Sequence, residues 1–133
     1  CDDANRIADL AAKQGIRLAF EFHGNTLNDR AGAAAKFLET LSHSNIDTLW
    51  QPLVSLDAGE RDRSLQVVLP RLAHVHVFHW LPGDTIDRRP LAEGAPLWRE
   101  WFATMRGAGR RPDALLEFCR GDDLEQFAAD AAE

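Results

Sequence analysis

Two glutamates sit inside apolar runs of the sequence: Glu21 in Leu18-Ala19-Phe20-Glu21-Phe22 and Glu117 in Leu115-Leu116-Glu117-Phe118. Strands buried in a parallel sheet read as near-continuous apolar runs. A carboxylate inside one loses hydration, a cost that a cation or hydrogen bonds must offset. One bland solution is an ion pair with an arginine such as Arg17, and another is a strand end already in water. Two carboxylates at equivalent places, with histidines between them in the sequence, favour a shared partner, and a divalent metal ion is the economical one.

Histidines supply the complementary chemistry. In His74-Val75-His76-Val77, period-two alternation puts both histidines on one face and both valines on the other. His76, nearer the strand's end, is the candidate ligand; His74, one layer deeper, reads as core or as support for a ligand. His23 follows Glu21 by two residues and shares its face, so it is a candidate to bind substrate or to hydrogen-bond a ligand. His79, just past its strand, is a candidate substrate contact. Gln51 closes the run Ile46-Asp47-Thr48-Leu49-Trp50-Gln51. Its neutral amide oxygen suits a hard or borderline metal less well than a carboxylate does, and a plain strand-end hydrogen bond is equally open.

The elements that position these residues alternate. Ala4 to Gln14 has helical spacing and stops at Gly15. Ile16–His23 reads as a strand, and a helix capped by Asn28 or Asp29 runs to about Ser42. Ile46–Gln51 is a second strand, stopped by Pro52, and Gly59–Arg71 a helix ended by Pro70. Leu72–Phe78 is a third strand, and Pro96–Arg106 a helix whose Trp98, Trp101, Phe102 and Met105 form a core stripe. Ala114–Cys119 is the last strand, followed by a closing helix capped within Gly121-Asp122-Asp123. Leu81–Ala95 is the longest loop and the expected lid or substrate loop. Such alternation predicts an α/β fold of parallel (βα) units preceded by one helix. In that fold functional side chains gather at the C-terminal ends of the strands, where Glu21, Gln51, His76 and Glu117 fall.

The 133 residues fit one domain, residues 1–133. A net charge of −6 argues against a nucleic-acid surface, since phosphate backbones are gripped by clustered Lys and Arg. Arg88-Arg89 and Arg110-Arg111 are the nearest thing to patches; the second pair suits a helix C-terminus. No stretch is apolar enough to span a bilayer and the N-terminus lacks signal-peptide character, so no membrane association and a cytoplasmic location are expected. Cys1 and Cys119, at opposite ends, form neither a disulfide framework nor a metal clip and suit a reducing compartment.

In Phe20-Glu21-Phe22-His23-Gly24-Asn25-Thr26, Leu49-Trp50-Gln51-Pro52, His74-Val75-His76-Val77-Phe78 and Leu116-Glu117-Phe118, the chain resembles the xylose isomerase-like TIM barrels of the sugar phosphate isomerase/epimerase superfamily. The resemblance spans essentially the whole chain. It implies the last four strands of a TIM barrel, the C-terminal half of a fold of about 250 residues. It further implies one divalent metal ion (Mn, Mg, Co or Zn) on Glu21, Gln51, His76 and Glu117, with Gln51 standing where epimerases commonly carry Asp. The implied activity is isomerisation or epimerisation of a sugar or sugar phosphate through an enediolate, with Glu21 and Glu117 as the proton-transfer pair. Substrate contacts are expected from His23, Trp50 and His79, and a phosphate, where there is one, from Arg88 or Arg89. A metal-dependent dehydratase or hydrolase, and a non-catalytic half-barrel, are the alternatives. Half a barrel leaves two strand edges open, so a homodimer or a missing N-terminal half is expected. Cys1 in place of Met is read as the mark of a trimmed chain.

Overall fold

The computed structural model describes residues 2–83 and 85–133. Cys1 and Asp84 lie outside the described residues, and with Cys1 goes the expectation about its pairing; Cys119 is a free, buried thiol. The chain divides into two compact units, Cys1–His74 and Val75–Glu133. The first unit holds α1 (Asp2–Ala12), β1 (Leu18–Glu21), α2 (Ala31–Thr40), β2 (Ile46–Trp50) and α3 (Ala58–Val68). The boundary falls inside β3 (Leu72–Val77), after which come β4 (His79–Leu81), β5 (Asp87–Arg89), α4 (Leu91–Gly107), β6 (Asp113–Leu116) and α5 (Leu124–Asp130). Strands β1, β2, β3 and β6 form one parallel sheet in that order. The α/β fold of parallel (βα) units, with one helix ahead of them, is therefore the fold the chain adopts.

In the first unit, Asp2 and Asp3 favour the positive end of the α1 dipole. Gly15 ends that helical segment at φ +69°, with the Ile16 N–H bonded to the Ala11 carbonyl and the Gly15 N–H to that of Ala12. Only a residue without a side-chain penalty at positive φ makes this double closure cheaply. The chain then enters β1, which pairs with β2 in the parallel register Leu18↔Ile46 to Glu21↔Leu49. Ile46, fully buried, packs with Ala8 and Leu41, and Leu18, Phe20 and Phe37 close over them. Phe20 meets Phe37 of α2 edge-to-face at 5.0 Å. A buried side chain of this size contributes about 1.5–3 kcal/mol.

In the second unit the stripe of α4 is core as its spacing predicts, with Trp98, Trp101 and Met105 buried. The Trp98 indole N–H donates to the Phe78 carbonyl at 2.8 Å, tying α4 to the end of β3. Two expectations need correction. Leu81–Ala95 is not one long loop: β4 and β5 form an antiparallel hairpin, His79↔Arg89 to Leu81↔Asp87, and α4 begins at Leu91, so Pro96 lies inside it. Neither Asn28 nor Asp29 caps α2, whose N-cap is Arg30 with no side-chain bond.

Two helices without a capping side chain of their own borrow one from the following helix. The Ala31 N–H of α2 donates to Glu60 Oε1 of α3 at 3.0 Å. The Leu91 N–H of α4, behind a Pro90 N-cap, donates to Asp130 Oδ1 at the end of α5 at 2.9 Å. Each carboxylate satisfies an orphan N–H and meets the positive end of a helix dipole.

Candidate active site

In the first unit Glu21 is the last residue of β1. The Phe22 N–H continues the ladder to the Leu49 carbonyl at 2.9 Å, which brings Gln51 beside Glu21. Gln51 is 3% exposed, and its Nε2 donates to Glu21 Oε1 at 2.9 Å and to the Phe22 carbonyl at 3.0 Å. Arg17, the cation offered as a structural partner for Glu21, instead pairs with Asp47. Behind Gln51 and Pro52, Arg61 of α3 binds the carbonyls of Leu53 and Val54, and burial lowers its pKa from the ordinary value.

The turn after β1 is wired by Thr26 and by Asn28, a residue whose type and place had suggested a helix cap. Asn28 is buried; its Nδ2 donates to the Glu21 carbonyl at 3.0 Å and its carbonyl accepts the His23 N–H at 3.1 Å. Thr26 Oγ1 donates to the His23 carbonyl and accepts the Asn28 N–H. Asn28 thus works as a clasp on the end of β1, and the closely spaced Thr26-Leu27-Asn28 was the available signal. His23 Nδ1 lies 2.9 Å from the Gly24 carbonyl. A carbonyl only accepts, so Nδ1 carries the proton and Nε2 keeps its lone pair in the neutral ring. Glu21, His23, Thr26 and Asn28 border a cleft of about 490 Å³.

Trp50 does not belong with these residues. It is fully buried, and its indole donates to Ser64 Oγ of α3 at 2.9 Å. Adjacent strand residues face opposite ways, so Trp50 points to the helices while Gln51 points to Glu21. A substrate contact from Trp50 is thereby ruled out.

In the second unit the Glu117 N–H donates to the Val77 carbonyl at 3.1 Å, which fixes Glu117 one residue past β6 and beside the end of β3. Glu117 Oε2 lies 3.2 Å from His76 Nδ1, with side-chain exposures of 23% and 19%. That carboxylate oxygen is buried and makes no hydrogen bond among the described residues. Neighbouring ligands of one small divalent cation stand roughly 3 Å apart when each bond is about 2.0–2.2 Å. The pair therefore fits two ligands of a single ion. An apolar cavity of about 250 Å³ under α4, bordered by Val77, Trp98, Phe102 and Leu116, contains neither member of the pair.

Phe118 follows at φ +45°, a conformation uncommon for a bulky residue, and turns the chain out of the strand. Arg88 of the hairpin stacks over the Phe118 ring at 4.6 Å and the Trp80 ring at 5.4 Å, and its Nη1 binds Asp122 Oδ1 at 2.7 Å. Trp80 Nε1 donates to the Phe118 carbonyl. Arg89 binds Glu93 at 3.0 Å, which holds its guanidinium above its ordinary pKa. Each arginine thus has a carboxylate partner within the unit. His79 packs close on α4: a Cβ added at Gly94 would stand 2.6 Å from His79 Nδ1.

Comparisons agree with this architecture. The model of the xylose isomerase-like TIM barrel family matches residues 1–133. The crystal structure of the probable 3-DHS dehydratase AsbF involved in petrobactin synthesis from Bacillus anthracis is similar at a TM-score of 0.76 and 20% sequence identity, covering 98% of this chain and 52% of that one. At that identity the likeness is one of fold, and the chain spans about half the length of that relative. No curated protein matches the chain. No helix among the described residues is long and apolar enough to cross a membrane. The chain belongs to the xylose isomerase-like TIM barrel family.

Proposed function

We propose that this chain carries the metal-binding and proton-transferring residues of a sugar or sugar phosphate isomerase or epimerase. The observation that carries the reading is the buried Glu117 Oε2, without a hydrogen bond, set 3.2 Å from His76 Nδ1. Glu21, His76 and Glu117 each offer a ligand atom of the kind a divalent ion takes. All three come from the C-terminal ends of parallel strands, where this fold collects its chemistry. When bound, a divalent cation polarises a substrate carbonyl and its neighbouring hydroxyl.

The residues of the chain do the rest. One glutamate removes the proton from the carbon next to the carbonyl, leaving an enediolate of the sugar. The other returns a proton to the opposite face or to the neighbouring carbon. His23, with Nε2 as an acceptor, orients a hydroxyl from the side of Glu21. Arg88, braced by two rings, is the better placed of the two arginines to meet an anionic group at the second unit's rim. A cytoplasmic setting suits the free Cys119 thiol.

The test is uptake of deuterium from D2O into carbon-bound positions of ketoses, aldoses and their phosphates, in the protein that carries this chain and with Mn2+ supplied. Exchange is expected, with Glu117→Gln slowing it by about 10²–10⁴-fold. Undiminished exchange in that variant contradicts the reading. A product that has lost water would instead assign the site to a dehydratase, the reaction named for the similar AsbF structure.

A further inference from the structure

We infer that Gln51 is a positioning residue for Glu21 and not itself a metal ligand. The inference rests on the metal reading above and concerns which end of one amide faces Glu21. Gln51 Nε2 approaches two oxygens, Glu21 Oε1 at 2.9 Å and the Phe22 carbonyl at 3.0 Å. An ionised carboxylate and a peptide carbonyl only accept, so the end of the amide that faces them is the NH2 group, and both of its protons are used. Turning the amide over would set its oxygen against two others in a position 3% exposed. An NH2 group has no lone pair to give a metal.

The consequence is a different division of labour from four direct ligands. The amide donates to Glu21 Oε1 and holds the carboxylate against the strand end.

Co2+ binding by the full chain tests this, through affinity and visible absorption together. Gln51→Leu is expected to weaken Co2+ binding by about 10–100-fold, the usual cost of losing an outer partner, while the absorption bands keep their shape. Gln51→Asp, which replaces the NH2 group with an anionic donor, is expected to tighten binding and to shift the bands. Bands that change in Gln51→Leu as they do on loss of a ligand overturn the inference.

Should Gln51→Leu fail to fold, the wild-type chain decides the matter by NMR with Zn2+. The Gln51 side-chain NH2 protons should stay protected from solvent exchange on Zn2+ addition. Loss of that protection means the amide has rotated to ligate and overturns the inference. A wild-type chain that binds no Co2+ and no Zn2+ fails the metal reading itself, and this inference falls with it.

Discussion

Glu117 Oε2 stands 3.2 Å from His76 Nδ1, and a backbone bond runs from the Glu117 N–H to the Val77 carbonyl. Strand pairing thus sets the two residues side by side, and their rotamers bring the atoms together. Replacing His76 with Gln should leave the sheet intact and lower Mn2+ affinity by more than about 100-fold, beyond the range seen for outer partners. Isothermal titration of both proteins checks this; equal affinities would remove His76 from the ligand set.

Asp130 should matter for stability more than its place near the chain end suggests. It is buried and accepts from the Leu91 N–H and from Gln126 Nε2. Asp130→Ala is expected to cost about 1–2 kcal/mol in urea unfolding, the range for lost helix caps, and Asp130→Asn, which keeps an acceptor, distinctly less.

Acid should loosen the first unit through Glu60. Its pKa is lowered from the ordinary 4.5, first by the Ala31 N–H and then by Arg63, against an opposing effect of burial. A lowered folded-state pKa means the contribution is fully present above pH 4.5 and is lost as pH falls through the folded value. The urea midpoint of the wild type should drop more steeply below that pH than the midpoint of Glu60→Gln. Parallel curves would show that the cap carries no charge-dependent stability.

Gly94 is required by its neighbour and not by its own backbone. A Cβ there would meet three atoms of the His79 side chain at 2.6–2.9 Å. Gly94→Ala should therefore destabilise by about 1–3 kcal/mol. In a His79→Gly background, which removes all three contacted atoms, the same change should become neutral or stabilising, since Ala is the better helix former by about 1 kcal/mol. A double-mutant cycle with no coupling would refute the contact.

Much of this was legible in the sequence. Apolar runs broken by Gly and Pro located the four parallel strands, and the helical stripe of Trp98, Trp101 and Met105 is core. Glu21 and Glu117 stood out as carboxylates in apolar runs, but only Glu117 is partly buried; Glu21 is exposed at its strand end, so the expected cost of burial does not apply to it. Trp50 was misassigned to the site although period-two alternation, applied to its neighbour Gln51, already sends it to the opposite face. The hairpin was hidden because β4 and β5 have three residues each, too few to show a period. The caps from Glu60 and Asp130 act across 29 and 39 residues and the Arg88–Asp122 bond across 34, separations that no local pattern reports.

The most direct test of the central claim is a Mn2+ titration of this chain beside its Glu117→Gln and Glu21→Gln variants. The account predicts one ion per wild-type chain and a large loss of affinity in both variants. Binding that is equally tight in all three proteins, or no binding by the wild type, would contradict it.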